Sequence, residues 1–160
     1  MNQQKELFAR PEGGMKVLSL WEPWASFVAL GYKMNETRSW PTKYRGELAI
    51  QAAKNRSALG DADDILEAAG FDLSDRTTVG GTKWPLGSIL CVVDLVDCVL
   101  TEKIKGRLSR RELAMGDYSD GRFAWVFQNI RKLKQFVPIR GFQGIFNLGP
   151  DVSEIVRRRT

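Results

Sequence analysis

Lys33 and Glu36, three residues apart in the segment GYKMNETRSW, have the functional groups that acid–base chemistry requires. A carboxylate in a dry environment can act as a general base, and a lysine can activate a nucleophile. The same lysine can instead contact a phosphate, or complement the negative end of a helix dipole, because it closely follows Gly31 at a predicted helix end. The pair therefore predicts either catalysis or ligand recognition.

Alternate side chains around this pair share a face if residues 33–40 are extended, as we expect. Met34, Glu36, Arg38 and Trp40 then lie on one face, a mixture that is unusual for a core and for a solvated surface. Because an inward carboxylate and guanidinium are costly unless they are paired, two alternatives stay open. Glu36 and Arg38 form an internal salt bridge, or they present hydrogen-bonding groups to a ligand at the floor of a polar pocket.

Aromatic and basic side chains in nearby turns are candidates for nucleic-acid contacts. Trp21 lies at a predicted strand-to-helix junction, where an exposed ring can stack on an unpaired base. The turn TKYRG places a tyrosine between two cations, which suits backbone and base contacts as well as an ordinary exposed turn. A second turn, GDYSDGR, is either a polar connection or a source of cleft contacts through Tyr118 and Arg122.

The composition excludes several kinds of site. The chain has no histidine, which removes histidine bases and histidine metal ligands. Cys91 and Cys98 lie seven residues apart in one predicted strand, on opposite faces, so they predict free thiols rather than a local disulfide or a zinc site. The sequence contains neither a P-loop nor a dinucleotide-binding glycine motif. We therefore expect no metal and no cofactor.

The net charge of +5 is compatible with a nucleic-acid partner. Arg157, Arg158 and Arg159 supply three of these charges at the end of the chain, and without them 21 basic residues face 19 acidic ones. The basic end is either an arm that contacts phosphates or a solubilising segment.

The hydrophobic pattern predicts five or six strands and two or three short helices. Because regular helices do not separate the strands, a doubly wound parallel sheet is disfavoured. We predict an α+β fold, a small bent β-barrel with two or three short helices bordering a cleft. The expected strands are residues 15–20, 33–40, 47–53, 88–100, 121–133 and 138–148, and the expected helices are residues 23–30, 56–69 and 109–116.

The length of 160 residues suits one domain. We expect a flexible leader over residues 1–14, the folded domain over residues 15–150, and a basic C-terminal tail over residues 151–160. The first residues have no apolar signal-peptide region, and no apolar run is long enough to span a bilayer. The expectation is a cytoplasmic protein without a membrane partner.

The segment LSLWEPWASFVALGYKMNETRSWPTKYRGELAIQAA resembles the opening of an ASCH domain, a member of the PUA-like superfamily. Three later segments support the resemblance in the same order: WPLGSILCVVDLVDC, DGRFAWVFQNIRKL and PIRGFQGIFNL. It covers roughly residues 16–148. The resemblance implies a bent β-barrel, a cleft where the first helix meets the strand after Lys33, and RNA binding.

The resemblance also implies an alternative, because some ASCH relatives are amidohydrolases of acylated cytosine nucleosides and others are nucleases. In the amidohydrolase type a lysine follows the helix-ending glycine and a threonine lies three residues later, so Lys33 matches and Glu36 departs. Glu22 stands where ASCH openings often have glutamine, and Gln51 stands where they often have histidine. These departures favour recognition over catalysis.

The resulting prediction is a binding module for nucleic acid, single-stranded RNA in particular, or for a modified nucleotide. The alternative is a small hydrolase, either an amidohydrolase of acylated cytosine nucleosides or a metal-independent ribonuclease, with Lys33 and Glu36 as its catalytic residues. The expected partner is RNA, another single-stranded nucleic acid or a small modified nucleoside. The candidate binding residues are Trp21, Glu22, Lys33, Glu36, Arg38, Lys43, Tyr44, Arg45, Gln51, Tyr118 and Arg122.

Overall fold

The computed structural model describes residues 14–71 and 84–160, so the expected leader lies outside the described residues except for Gly14. Six strands and five α-helices are found in these two ranges. The strands are β1 Lys16–Leu20, β2 Asn35–Arg38, β3 Gly46–Ala52, β4 Ser88–Leu100, β5 Phe123–Pro138 and β6 Ile145–Asn147. The helices are α1 Trp24–Ala29, α2 Ala62–Ala68, α3 Thr101–Ile104, α4 Arg110–Ala114 and α5 Pro150–Arg159.

All six strands form one sheet in the order β2-β5-β4-β3-β1-β6, in which β1 and β3 are parallel and the other neighbours antiparallel. In a flat sheet, β2 and β1 would lie about 19 Å apart, at roughly 4.8 Å per strand. Arg38 at the end of β2 nevertheless donates a hydrogen bond to the backbone oxygen of Ser19 on β1, 3.3 Å away. The sheet is therefore curled into a half-barrel, which confirms the predicted bent β-barrel.

Irregular pairing between β4 and β5 accompanies this curl. Bulges bend a strand and increase its twist, and Asn129 of β5 has the positive φ of 50° that asparagine tolerates better than most residues. The register shifts lie between Ile89 and Cys91, between Val92 and Asp94, and between Leu95 and Asp97. Because these shifts interrupt the alternation of side chains, Cys91 and Cys98 pack against the same apolar cluster rather than on opposite faces. Both thiols are free.

The two faces of the sheet pack against different helices. Leu18 of β1 and Leu48 of β3 belong to a cluster that includes α1, whereas their neighbours Val17 and Ala49 belong to a cluster that includes Val156 of α5. This alternation is the one that extended backbone imposes. A third cluster joins α1 and α2 to the turn after α4. As a result, α1, α2 and α4 stand together, and α4 contacts the start of β2.

A glycine sets the path from α1 into β2, as predicted. Gly31 follows the last helical turn with a φ of +76°, a left-handed conformation that residues with a Cβ rarely adopt. The chain reverses there and enters the extended segment that begins after Lys33.

The C-terminal segment differs from the expected basic tail, because it forms α5 and packs onto the sheet. Val156 is fully buried, and Arg157 pairs with Glu47 of β3 at 3.4 Å. Arg158 pairs with Glu154 within the helix. The helix is amphipathic, which explains why a segment with three consecutive arginines is ordered.

Two further elements differ from the expectation. The helix predicted over residues 56–69 begins as a 3₁₀ turn, Ser57–Asp61, before α2. The last strand is shorter than predicted, because residues 139–144 form a loop that borders the mouth of the half-barrel.

Candidate functional site

Two adjoining cavities open at the mouth of the half-barrel. The Glu36 pocket has a volume of about 590 Å³ and the Gln51 groove one of about 1320 Å³. The two cavities share a wall formed by Ser19, Trp21, Arg38 and Trp40. The Glu36 pocket is completed by Leu20, Trp24, Lys33, Glu36, Thr37, Ser39, Ile65, Ala114, Met115, Gly116, Asp117 and Arg122. The Gln51 groove is completed by Gln51, Ala53, Lys54, Leu86, Gly87, Ser88 and residues 138–144.

A row of three charged side chains lies in the wall of the Glu36 pocket. Lys33 Nζ is 3.5 Å from Glu36 Oε2, and Arg38 Nε is 3.1 Å from Glu36 Oε1. The Lys33 ammonium also donates a hydrogen bond of 2.9 Å to the backbone oxygen of Met115. Glu36 and Arg38 therefore form the salt bridge that was one of the two alternatives, and the paired side chains also line the cavity.

β2, which carries Glu36 and Arg38, is held in place by Glu112 of α4, a residue that the sequence did not single out. Its carboxylate accepts hydrogen bonds of 2.9 Å from the backbone N–H groups of Met34 and Asn35, at the start of β2. Glu112 also receives the phenol hydrogen of Tyr118 at 3.0 Å. This buried carboxylate therefore ties the start of β2 to the Tyr118 side chain.

The spacing Ser109-x-x-Glu112 is a signal that points to a different role. A glutamate three residues after an N-cap serine usually bonds back to the start of its own helix. Ser109 does cap α4, by accepting the N–H of Glu112 at 3.1 Å. The Glu112 side chain instead leaves the helix for β2, so the local pattern hides its tertiary contact.

Arg122 and Asp117 form a second ion pair that lines the pocket. Arg122 Nε is 3.3 Å from Asp117 Oδ2, and the guanidinium also donates to the backbone oxygen of Thr37 at 3.4 Å. Hydrogen bonds from Ser119 hold the pKa of Asp117 below its usual 3.8, so the carboxylate is ionised at neutral pH. The pocket therefore combines two carboxylates with three cations.

Three tryptophan rings, of Trp21, Trp24 and Trp40, complete the walls of the Glu36 pocket. Trp40 packs edge-on against buried Trp125, with ring centroids 4.7 Å apart, and the Trp125 indole donates to the Trp40 backbone oxygen at 3.3 Å. This contact fixes one ring of the shared wall. Trp24 and Trp40 were not among the predicted binding residues, although each lies next to a proline, Pro23 or Pro41, in the sequence.

The floor of the Gln51 groove is a buried amide. Gln51 accepts the Ser19 hydroxyl hydrogen at 2.5 Å and donates to the backbone oxygen of Ile139 at 2.9 Å. Gly141 passes so close that a Cβ at that position would overlap the Gln51 amide oxygen. A glycine is therefore required where the loop crosses the amide.

Lys54, Arg140 and Phe142 line the groove and were missed by the sequence interpretation. Arg140 places its guanidinium 5.4 Å from the Phe142 ring centroid. The signal in the sequence was the tripeptide Arg140-Gly141-Phe142, in which an arginine and an aromatic residue flank a glycine.

The structure places two predicted site residues away from both cavities. Glu22 is completely buried, where its carboxylate accepts the backbone N–H and the hydroxyl hydrogen of Ser26 at the start of α1. Burial raises the pKa of Glu22 above its usual 4.5, although the bonds from Ser26 act in the opposite direction. Tyr118 is buried against Glu112, and burial followed by the Glu112 charge raises the pKa of its phenol well above 10.0.

The three candidates in the TKYRG turn also lie outside the two cavities. The Tyr44 hydroxyl donates to the backbone oxygen of Glu47 at 2.5 Å, and burial raises the pKa of Tyr44 to about 12. Arg45 donates to the backbone oxygens of Thr42 and Tyr44 and pairs with Asp97. These contacts order the turn, and Lys43 remains exposed beside them.

Within the described ranges, no group of three or more His, Cys, Asp and Glu side chains is arranged to hold a metal ion. Nor does any helix in the same part of the chain combine the length and the apolar character that crossing a bilayer requires.

A family model and a solved structure name the same family. The ASCH domain model matches residues 18–136. The human and mouse proteins called activating signal cointegrator 1 are each 28% identical to the chain over 152 residues, 95% of its length. That match is 25% of those relatives, so the chain spans about a quarter of their length.

A solved structure supports the fold. The crystal structure of ASCH from Zymomonas mobilis superimposes with a TM-score of 0.56 at 14% sequence identity, over 90% of this chain and 94% of that chain. At this identity the likeness concerns the fold.

Proposed function

This chain belongs to the ASCH domain family, and from that premise we propose that it is a binding module for single-stranded RNA or a modified nucleotide. One unpaired base, or the modified nucleoside, occupies the Glu36 pocket. The ASCH domain has a PUA-like fold, which is generally linked to RNA binding, and this supports nucleic acid as the class of partner.

The observation that carries the proposal is the row Lys33–Glu36–Arg38 beside three tryptophan rings. Proteins recognise unstacked bases by stacking them on aromatic rings and by hydrogen bonding to their edges. A carboxylate accepts from the amino and imino groups of a base, whereas a guanidinium donates to its carbonyl and ring nitrogen acceptors. The pocket offers both kinds of group next to stacking surfaces.

The experiment is a titration of a fluorescein-labelled, ten-nucleotide RNA of mixed sequence, followed by fluorescence anisotropy. We expect Glu36→Gln to weaken binding about tenfold, in line with roughly 1–3 kcal/mol for a good polar base contact. Lys134→Ala, which removes an exposed cation from β5 outside both cavities, is the matched control. Wild-type protein that fails to bind the RNA, or equal affinities for all three proteins, would count against the proposal.

A hydrolase is the second candidate, and the contact between Lys33 and Glu36 in the pocket wall is the observation that favours it. In that case Lys33 polarises the substrate and Glu36 transfers the proton. Mass spectrometry of the same RNA and of N4-acetylcytidine after incubation with the protein separates the two functions. Cleavage or loss of the acetyl group that disappears in Lys33→Ala and Glu36→Ala would establish the hydrolase, and intact substrates would leave the binding module.

A further inference from the structure

We propose that the Gln51 groove is a second subsite, which binds the phosphodiester and the base that follow the nucleotide in the Glu36 pocket. The inference rests on the proposed function and extends it, because it requires a ligand of at least two linked nucleotides for full affinity. It assigns a role to Arg140, Phe142 and Lys54, which the pocket does not use.

Continuity of the two cavities is the first argument. Both cavities are lined by Ser19, Trp21, Arg38 and Trp40. A nucleotide chain that leaves the pocket along this shared wall therefore enters the groove directly. Arg38 is anchored there by Glu36 on one side and by the Ser19 backbone oxygen on the other. A cation fixed between two cavities is suitably placed to contact the phosphate that joins two nucleotides.

The charges of the two cavities differ in a way that matches the parts of a nucleotide chain. The pocket contains the carboxylates of Glu36 and Asp117 among its cations. Among the described residues that line the groove there are three cations, Arg38, Lys54 and Arg140, and no carboxylate. A phosphate is repelled by nearby carboxylates and attracted by cations, so the nucleic-acid backbone is expected to follow the groove.

The aromatic surface extends in the same direction. Trp21, Trp40 and Phe142 are 49%, 39% and 53% exposed, which makes them the most exposed aromatic rings of the described chain, and all three line the groove. Phe142 is supported edge-on by Phe146, with centroids 5.2 Å apart. A large ring that stays in water at the edge of a cationic groove is a stacking platform for a base.

The sizes of the cavities agree with this division. The pocket, at about 590 Å³, lies within the range of roughly 300–1,000 Å³ that accommodates one small ligand. The groove, at about 1320 Å³, is larger and has room for a base together with its sugar and phosphate. The combined cleft therefore exceeds what a single nucleoside fills.

The test compares pocket and groove variants on a long and a short ligand. The long probe is the fluorescein-labelled ten-nucleotide RNA of mixed sequence, titrated at several salt concentrations. The short probe is an equimolar mixture of the four ribonucleoside 5′-monophosphates, used as a competitor. The proteins are wild type, Arg140→Ala, Phe142→Ala, Glu36→Gln and the control Lys134→Ala.

Arg140→Ala is expected to weaken binding of the ten-nucleotide RNA about tenfold. The slope of the logarithm of the binding constant against the logarithm of the salt concentration is expected to become shallower by about 0.7, the value for one phosphate of a single strand. Phe142→Ala is expected to weaken binding about tenfold without a change in salt dependence, as for the loss of one stacked base. Neither Arg140→Ala nor Phe142→Ala alters competition by the monophosphates, whereas Glu36→Gln weakens the binding of both the RNA and the monophosphates. Phe142→Leu, which retains apolar bulk without the ring, behaves like Phe142→Ala.

Three results would overturn the second subsite. If both groove variants bind the RNA like wild type while Glu36→Gln binds weakly, the groove is not a subsite and the proposed function stands. If the groove variants lose affinity for the monophosphates to the same degree as for the RNA, Arg140 and Phe142 affect binding by altering the pocket or the fold, and the groove is not a separate subsite. If wild type binds no RNA, the proposed function fails and the second subsite fails with it.

Discussion

The carboxylate of Glu112 on α4 accepts hydrogen bonds from both the backbone N–H and the side-chain amide of Asn35 on β2, at 2.9 and 3.2 Å. β2 is an edge strand of four residues, paired on one side with β5. Glu112 therefore supplies the acceptors that a second neighbouring strand would otherwise give. The next residue of β2 is Glu36, so this contact determines where the pocket carboxylate stands.

Replacing Glu112 should reduce both stability and binding. In Glu112→Ala the buried N–H group of Asn35 and the partly buried N–H group of Met34 lose their acceptor. We expect the free energy of unfolding to fall by about 3 kcal/mol, because buried donors are costly to leave unpaired. Urea denaturation measures this loss, and RNA titration of the folded fraction measures the accompanying drop in affinity.

The control for this change is Glu67→Ala, which removes an exposed carboxylate from α2. Glu112→Gln, which retains one carbonyl oxygen as an acceptor, should fall between wild type and Glu112→Ala. Equal stability of Glu112→Ala and Glu67→Ala would show that β2 does not depend on this carboxylate.

Glu22→Gln should stabilise the protein at neutral pH. Burial raises the pKa of Glu22, so the folded state binds a proton more tightly than the unfolded state does. The contribution of protonated Glu22 to the free energy of unfolding is complete below pH 4.5. It is lost as the pH rises through the higher pKa of the folded state. A glutamine keeps an acceptor for the Ser26 N–H without the buried charge.

Urea denaturation at several pH values between 4 and 7 measures this effect. The difference in unfolding free energy between Glu22→Gln and wild type is expected to grow with pH. Glu67→Gln, on the exposed face of α2, should show no such trend. A variant that is less stable than wild type at pH 7 would mean that ionised Glu22 is worth more than its burial costs.

We expect the protein to lose stability in alkaline solution because the Tyr44 phenol is partly buried in the folded state. Its pKa rises from 10.0 to about 12 on folding, mainly through burial and next through the charge of Glu47. A raised folded-state pKa gives stability that is complete below pH 10 and is lost as the pH rises through about 12. In Tyr44→Phe this part of the loss is absent, so unfolding free energies measured at pH 9, 10 and 11 should decline less steeply. Parallel declines for the two proteins would refute the assignment.

Gly141→Ala should damage the floor of the groove. Its Cβ would overlap the Gln51 amide oxygen and lie 3.0 Å from the Ser19 hydroxyl oxygen, so the hydrogen bond between these side chains must break or move. We expect a loss of about 1–3 kcal/mol in unfolding free energy, because the added methyl group overpacks the buried Gln51 amide. The RNA affinity should fall as well.

Gly60→Ala is the matched control for this substitution, because a Cβ there meets nothing within 4 Å and Gly60 lies in the 3₁₀ turn Ser57–Asp61. Thermal unfolding and RNA titration of the two variants provide the comparison. If Gly141→Ala matches Gly60→Ala in both measurements, the close approach of the loop to Gln51 is not important for the groove.

Local features of the sequence predicted most of the elements and part of the site. Alternation along residues 33–40 placed Glu36 and Arg38 on one face, and this follows from extended backbone alone. Gly31 as the end of α1, Trp21 as an exposed ring and Cys91 as a free thiol were equally visible. These features depend on neighbours along the chain.

The contacts that complete the site were decided by tertiary structure. Lys33 meets the Met115 backbone oxygen 82 residues away, and Gln51 meets the Ile139 backbone oxygen 88 residues away. Which distant groups meet depends on the curl of the sheet, and register shifts accompany that curl with no local signature in the sequence. The alternation expected for Cys98 failed for the same reason.

The sequence by itself therefore determined the family resemblance, the charged face of β2 and the absence of histidine chemistry. Tertiary structure alone decided that Glu22 and Tyr118 are buried away from the cavities, and that Lys54, Arg140 and Phe142 form a groove beside the pocket. The physical reason is range: side-chain alternation and turn geometry are fixed within a few residues, whereas a cavity is formed wherever a curved sheet brings distant segments together.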